Sequence, residues 1–90
     1  MPVPGRELTL LGRPGCHLCE DALEILEPRC RAAGVRLRVV DVDGEEALRS
    51  RYGLRIPVVL AADGELSGWP LDEARLTAWL RGSPRASSGG

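Results

Sequence analysis

The feature that most constrains this chain is Cys16-His17-Leu18-Cys19, a C-x-x-C placed where the apolar pattern changes its period. Ahead of it runs Leu8-Thr9-Leu10-Leu11, apolar enough for a buried strand, followed by Gly12-Arg13-Pro14-Gly15, which has the composition of a turn. Behind it, Leu18, Ala22, Leu23, Ile25, Leu26, Cys30 and Ala33 recur at helical spacing. A strand that feeds through a Gly/Pro turn into a helix carrying two cysteines in its first turn is the setting of a redox dithiol. Free N–H groups and a partial positive charge at the helix N-terminus both favour thiolate over thiol. A zinc site and an inert pair are the competing readings. Zinc normally takes four ligands, and the chain has no second C-x-x-C to complete a set.

Ninety residues allow one small domain with a modest core, and a hydrophobic share of 43% suits a globular chain. The formal net charge is −1, with acidic and basic residues interleaved throughout. No basic stripe suggests a nucleic-acid partner, and no apolar run is long enough to cross a bilayer. Met1-Pro2-Val3-Pro4-Gly5-Arg6 lacks the apolar stretch of a signal peptide. The expectation is a cytoplasmic monomer, in a compartment that keeps thiols reduced. Its three cysteines then read as catalytic, metal-binding or buried. Lys, Asn, Gln and Phe are all absent, as a GC-rich coding bias or a heat-loving source would each explain.

Three segments are expected: a flexible lead-in over 1–6, one domain over 7–81, and a disordered tail over 82–90. Within the domain, Glu7–Leu11 reads as a first strand and His17–Ala33 as a first helix, closed by Gly34 and kinked by Pro28. Val35–Val42 reads as a strand half exposed at its start and buried at its end. Asp43 with Glu46 resembles a capping box that starts a short second helix ended by Gly53. Val58–Ala62 is too apolar for a wet edge, Asp63-Gly64 is a hairpin turn, and Glu65–Ser67 returns antiparallel. Asp72 caps a third helix, with Leu71 and Leu76 as a hydrophobic staple. The predicted fold is α/β, in the order β-α-β-α-β-β-α, with a mixed four-stranded sheet flanked by three helices. The first crossover is parallel and right-handed. Cys30 and Trp79 read as core packing.

This order, with C-x-x-C opening the first helix and X-Pro preceding the third strand, resembles the thioredoxin-like fold in its glutaredoxin form. The resemblance is closest to small bacterial glutaredoxin-like proteins. It is carried by Arg13-Pro14-Gly15-Cys16-His17-Leu18-Cys19, Val40-Asp41-Val42-Asp43, Arg55-Ile56-Pro57-Val58 and Trp69-Pro70-Leu71-Asp72. It implies a thiol–disulfide oxidoreductase in which Cys16 is the nucleophile and Cys19 the resolving thiol. It further implies that Pro57 is cis and faces the dithiol, leaving the Ile56 backbone to pair with an extended substrate. Arg13 lies near where glutaredoxins often carry Lys, and its charge would favour the Cys16 thiolate and steer an anionic thiol. His17, the only histidine, occupies a position that tunes redox potential.

The chain also departs from glutathione-using members. His17-Leu18 stands between the cysteines, Arg55-Ile56 precedes Pro57, and a single Gly68 stands where two glycines are usual. Asp72, in Leu71-Asp72-Glu73, would hold the glutathione amino group. The expected partners are therefore a disulfide-containing protein or a low-molecular-weight thiol. Either glutathione, as a co-substrate, or a thioredoxin-reductase-like enzyme supplies the electrons, with no tightly bound cofactor. The alternative of another class is a non-catalytic module that binds a metal or iron–sulfur cluster through Cys16.

Overall fold

The computed structural model describes residues 6–81; all but the last residue of the expected lead-in over 1–6, and the expected tail over 82–90, lie outside the described residues. The elements are β1 (Glu7–Gly12), α1 (His17–Ala33), β2 (Arg36–Asp41), a 3₁₀ turn (Val42–Gly44), α2 (Glu46–Tyr52), β3 (Val58–Ala61), β4 (Gly64–Ser67) and α3 (Glu73–Arg81). The sheet order is β2-β1-β3-β4, with β1 parallel to β2 and antiparallel to β3, and β3 antiparallel to β4. This is the thioredoxin-like α/β arrangement expected from the sequence.

Alternation along β1 divides the core in two, because successive side chains of a strand point to opposite faces. Leu8 and Leu10 join Val59 and Leu66 beneath α1 and α3, which contribute Ala22, Leu26, Cys30 and Leu76. Leu11 points the other way and meets Val42 and Val58, with Leu48 and Tyr52 of α2 packed against them. Two helices therefore cover one face and α2 the other. Cys30 is 1% exposed and is part of the larger cluster. The first helix runs unbroken through Pro28 and ends at Gly34, where the Val35 N–H donates to the Cys30 carbonyl at 2.8 Å. Arg6, which the sequence groups with the lead-in, is held instead. Its carbonyl accepts the Arg36 N–H at 2.9 Å, and its guanidinium lies 3.9 Å over the Trp79 ring.

Three expectations about the elements are corrected. The hairpin turn is Ala62-Asp63 rather than Asp63-Gly64, because Gly64 already pairs with Ala61 as the first residue of β4. The end of β2 is not buried: Val39 is 59% exposed and Val40 only half-buried, because β2 is an edge strand with β1 as its sole neighbour. Burial resumes at Val42, where the chain turns under the sheet. Nor does Asp43 cap α2. The residue before α2 is Glu45, with no side-chain cap bond, and Asp43 lies within the 3₁₀ turn with its carboxylate on Arg13. The Asp41 carboxylate takes up the Asp43 N–H at 2.9 Å. The expected Asp72 cap is present, with Oδ1 accepting the Arg75 N–H at 3.0 Å. A second cis bond, Trp69–Pro70, precedes that helix and has no signal in the sequence. Among the described residues no helix is long and apolar enough to cross a membrane.

The packing makes a direct prediction. Leu26 is wholly buried, whereas Leu54 is fully exposed. Leu26→Ala should cost about 2–5 kcal/mol of unfolding free energy, and Leu54→Ala less than about 0.5 kcal/mol. Urea denaturation followed by circular dichroism measures both.

Candidate active site

β1 ends at Gly12 and the chain turns through Arg13-Pro14-Gly15 into α1. Gly15 has φ 80°, a left-handed conformation that glycine adopts without penalty. The turn is closed by the Cys16 N–H donating to the Arg13 carbonyl at 3.2 Å. Cys16 is then the N-cap of α1, in extended conformation, and its sulfur accepts the Cys19 N–H at 3.4 Å. A cap side chain normally offers oxygen to the free N–H groups of the first turn. Here sulfur takes that place, so these donors favour negative charge on Cys16.

The Cys19 thiol donates to the Cys16 sulfur across 2.7 Å. Cys16 is half-buried and Cys19 only 7% exposed, so the two thiols one turn apart differ in access. Their acidities differ in the same sense. The Cys16 pKa is lowered, first by the Cys19 thiol, then by backbone N–H groups of the first turn, and last by the charge of Arg13. The Cys19 pKa is pushed up to about 11, by burial first and then by the hydrogen bond to Cys16. Burial also raises Cys30, far along the helix.

Gly12 is a site residue that the sequence reading treats only as part of the turn. A Cβ at this position would lie 3.0 Å from the Cys19 sulfur, so the absent side chain makes room for the second thiol. No local pattern reveals this, because the close approach is between a strand end and the following helix. Cys19 also lines an open, mostly apolar groove of about 260 Å³ that reaches Leu23 and the exposed Val39 of β2.

The remaining residues divide into those near the dithiol turn and those apart from it. Leu11 of β1 pairs with Val58 of β3, so Pro57 immediately precedes the strand that lies beside the end of β1. The Ile56–Pro57 bond is cis, Pro57 is fully buried, and Ile56 packs against the smaller core cluster. Arg13 is half-exposed and engaged with Asp43 through two contacts, 2.7 and 3.0 Å. His17 is 94% exposed, and its nearest acidic partner is Glu20 at 3.9 Å. Gly68 and Asp72 belong to the β4–α3 turn. The Ser67 hydroxyl donates to the Gly68 carbonyl at 3.0 Å and accepts the Asp72 N–H at 2.9 Å. None of these bonds reaches the dithiol. The position of a Gly68 Cβ is open, so sterics do not demand glycine there. Among the described residues no three His, Cys, Asp or Glu side chains gather as a metal site.

Comparison with known proteins matches residues 7–81 to the family described as Glutaredoxin-like domain (DUF836). The chain is 38% identical over 77 residues to the uncharacterized protein Rv0508 of Mycobacterium tuberculosis, a match covering 80% of this chain and 79% of that one. Among solved structures it resembles protein Ne2328 from Nitrosomonas europaea, determined by solution NMR. The TM-score is 0.75 and the identity 34%, over 88% of this chain and 95% of that one. It also resembles the X-ray structure of protein XcR50 from X. campestris. There the TM-score is 0.67 and the identity 46%, over 86% and 99% of the two chains.

The split acidities predict an ordered alkylation of the reduced protein. A lowered pKa means that thiolate forms at lower pH, so Cys16 should react first, with a midpoint below that of an ordinary thiol. Cys19 should stay slow through neutral pH and titrate only near pH 11. Cys30 should react only on unfolding. Peptide mass spectrometry across a pH series reads all three.

Proposed function

We propose that this chain, which belongs to the glutaredoxin-like domain family, is a thiol–disulfide oxidoreductase with Cys16 as nucleophile and Cys19 as resolving thiol. One observation carries the proposal: the accessible sulfur caps α1 and accepts both the Cys19 N–H and the Cys19 thiol, while its partner is buried behind it. This polarity favours thiolate at the sulfur a substrate can reach and keeps the proton on the one it cannot.

The reaction is a two-electron exchange. The Cys16 thiolate attacks one sulfur of a substrate disulfide, the substrate S–S bond breaks, and the departing thiolate takes up a proton. Cys19 then loses its proton and attacks the Cys16 sulfur. This releases the second substrate thiol and leaves the Cys16–Cys19 disulfide. Two electrons and two protons have passed to the substrate. Capture by Cys16 lifts the pressure that its negative charge places on Cys19 ionisation, one of the causes of the high Cys19 pKa. Two thiols of glutathione, or the dithiol of a thioredoxin-reductase-like enzyme, return the electrons.

The substrates that fit are protein disulfides and glutathione mixed disulfides in a reducing cytoplasm. The exposed Leu18 beside the dithiol offers an apolar contact to an incoming polypeptide. Ile56, immediately before Pro57, offers backbone for pairing with an extended segment.

Turnover of a glutathione mixed-disulfide peptide tests the proposal. Cys16→Ser should reduce the rate to that of a protein-free control. Cys19→Ser should accumulate a covalent adduct on Cys16, visible in the intact mass and removed by a strong reductant. Running the wild type with glutathione or with thioredoxin reductase as sole electron source identifies the reductant. A Cys16→Ser protein of undiminished rate would contradict the proposal.

A further inference from the structure

The Arg13–Asp43 pair bridges two segments 30 residues apart, and the oxidoreductase reaction above makes no use of Asp43. Its geometry is more specific than a surface ion pair requires. Nε and Nη2 of Arg13 meet the two carboxylate oxygens of Asp43 at 2.7 and 3.0 Å. Such a two-point fork fixes the plane and direction of a guanidinium as well as its charge. The carboxylate is held in turn, because the Asp43 N–H is fastened to Asp41 Oδ1. Nη1 leans 3.5 Å from the Gly53 carbonyl, and a Cβ on Gly53 would stand 3.4 Å from Nη2. The main chain of the same arginine closes the turn that presents Cys16.

One cation next to the nucleophile is thus turned toward the 3₁₀ turn after β2 and the end of α2. The charged groups around it are Asp41, Asp43 and Arg49, with His17 and Glu20 on α1 beside the dithiol. Among the causes that shape Cys16, the charge of Arg13 comes last, and Asp43 makes no direct contribution.

We propose that Asp43 is a positioning residue that restrains Cys16 through Arg13, holding the guanidinium in a two-point ion pair and keeping its charge away from the nucleophilic sulfur. The proposal deepens the oxidoreductase reading and rests on it, since what Asp43 adjusts, through the smallest of the influences on Cys16, is the reactivity of the nucleophile. Removing the carboxylate leaves an uncompensated cation one turn from a thiolate, free to approach it, and both changes favour the ionised sulfur.

The test is the alkylation midpoint of Cys16 in five proteins: wild type, Asp43→Asn, Asp43→Glu, Arg13→Gln and the Arg13→Gln/Asp43→Asn double variant. Asp43→Asn should lower the midpoint by about half a pH unit at low salt, the scale of one charge acting through solvent. At neutral pH this is a roughly threefold faster alkylation. The shift should shrink in about 1 M salt, where exposed charges are screened. In the Arg13→Gln background, Asp43→Asn should have little further effect, because the cation it restrains is gone. Asp43→Glu, which retains the charge, should keep the native midpoint. An unchanged or raised midpoint in Asp43→Asn overturns the proposal. So does an equal fall with Arg13 absent, or a shift that salt leaves intact. Disulfide turnover by the same wild-type protein is read separately. Its absence would overturn the oxidoreductase reading, while the five midpoints still decide the role of Asp43.

Discussion

Strand β1 is hydrogen-bonded on both sides, to β2 in parallel and to β3 antiparallel, and it is buried on both faces. Leu8 and Leu10 supply the floor on which α1 and α3 pack, and Leu11 anchors the smaller cluster under α2. The same strand delivers the chain to the dithiol turn. Its last residue, Gly12, stands against the Cys19 sulfur, and Leu11 before it pairs with Val58, the residue after Pro57. The site therefore inherits its position from the most constrained strand of the sheet. A displacement of β1 would move both cysteines and the loop before β3 together.

The acidity of Cys16 is a local matter decided at hydrogen-bond range. Its shift comes first from the neighbouring thiol and then from N–H groups of the helix it caps, with the Arg13 charge contributing least. This ranking is physically reasonable, because contacts at hydrogen-bond distance persist in water whereas an exposed charge is screened and here already paired. Cys19 is shaped chiefly by burial. One turn of helix thus separates two chemically identical groups into an accessible, acidic thiol and a shielded, weakly acidic one.

The element order was legible because each element has a local cause. The helical spacing from Leu18 to Ala33, the apolar block from Val58 and the hairpin signal around Asp63, misplaced by one residue, are each local in sequence. The placement of the two cysteines was legible for the same reason, since strand, turn and helix follow directly in sequence. What escaped depends on partners distant along the chain. Val39-Val40 looks continuously apolar, and nothing nearby says that β2 has a neighbour on one side only. Asp43 has the spacing of a cap, yet Arg13 competes for it from 30 residues away. Gly12 matters through a contact with Cys19 that only the folded turn creates.

The cap of α1 carries a consequence for the helix itself. In the reduced protein the Cys16 sulfur ties down the Cys19 amide and complements the positive end of the helix. In the proposed exchange that sulfur ends bonded to Cys19, where it would carry no charge and accept more weakly, while the S–S bond itself would tie the cap to the first turn. The remainder of α1 has no such dependence, because Ala22, Leu26 and Cys30 are buried in the core. A partner touching this end of the molecule would then meet a helix tip held by a non-covalent contact in the reduced protein and by a covalent one in the oxidised protein.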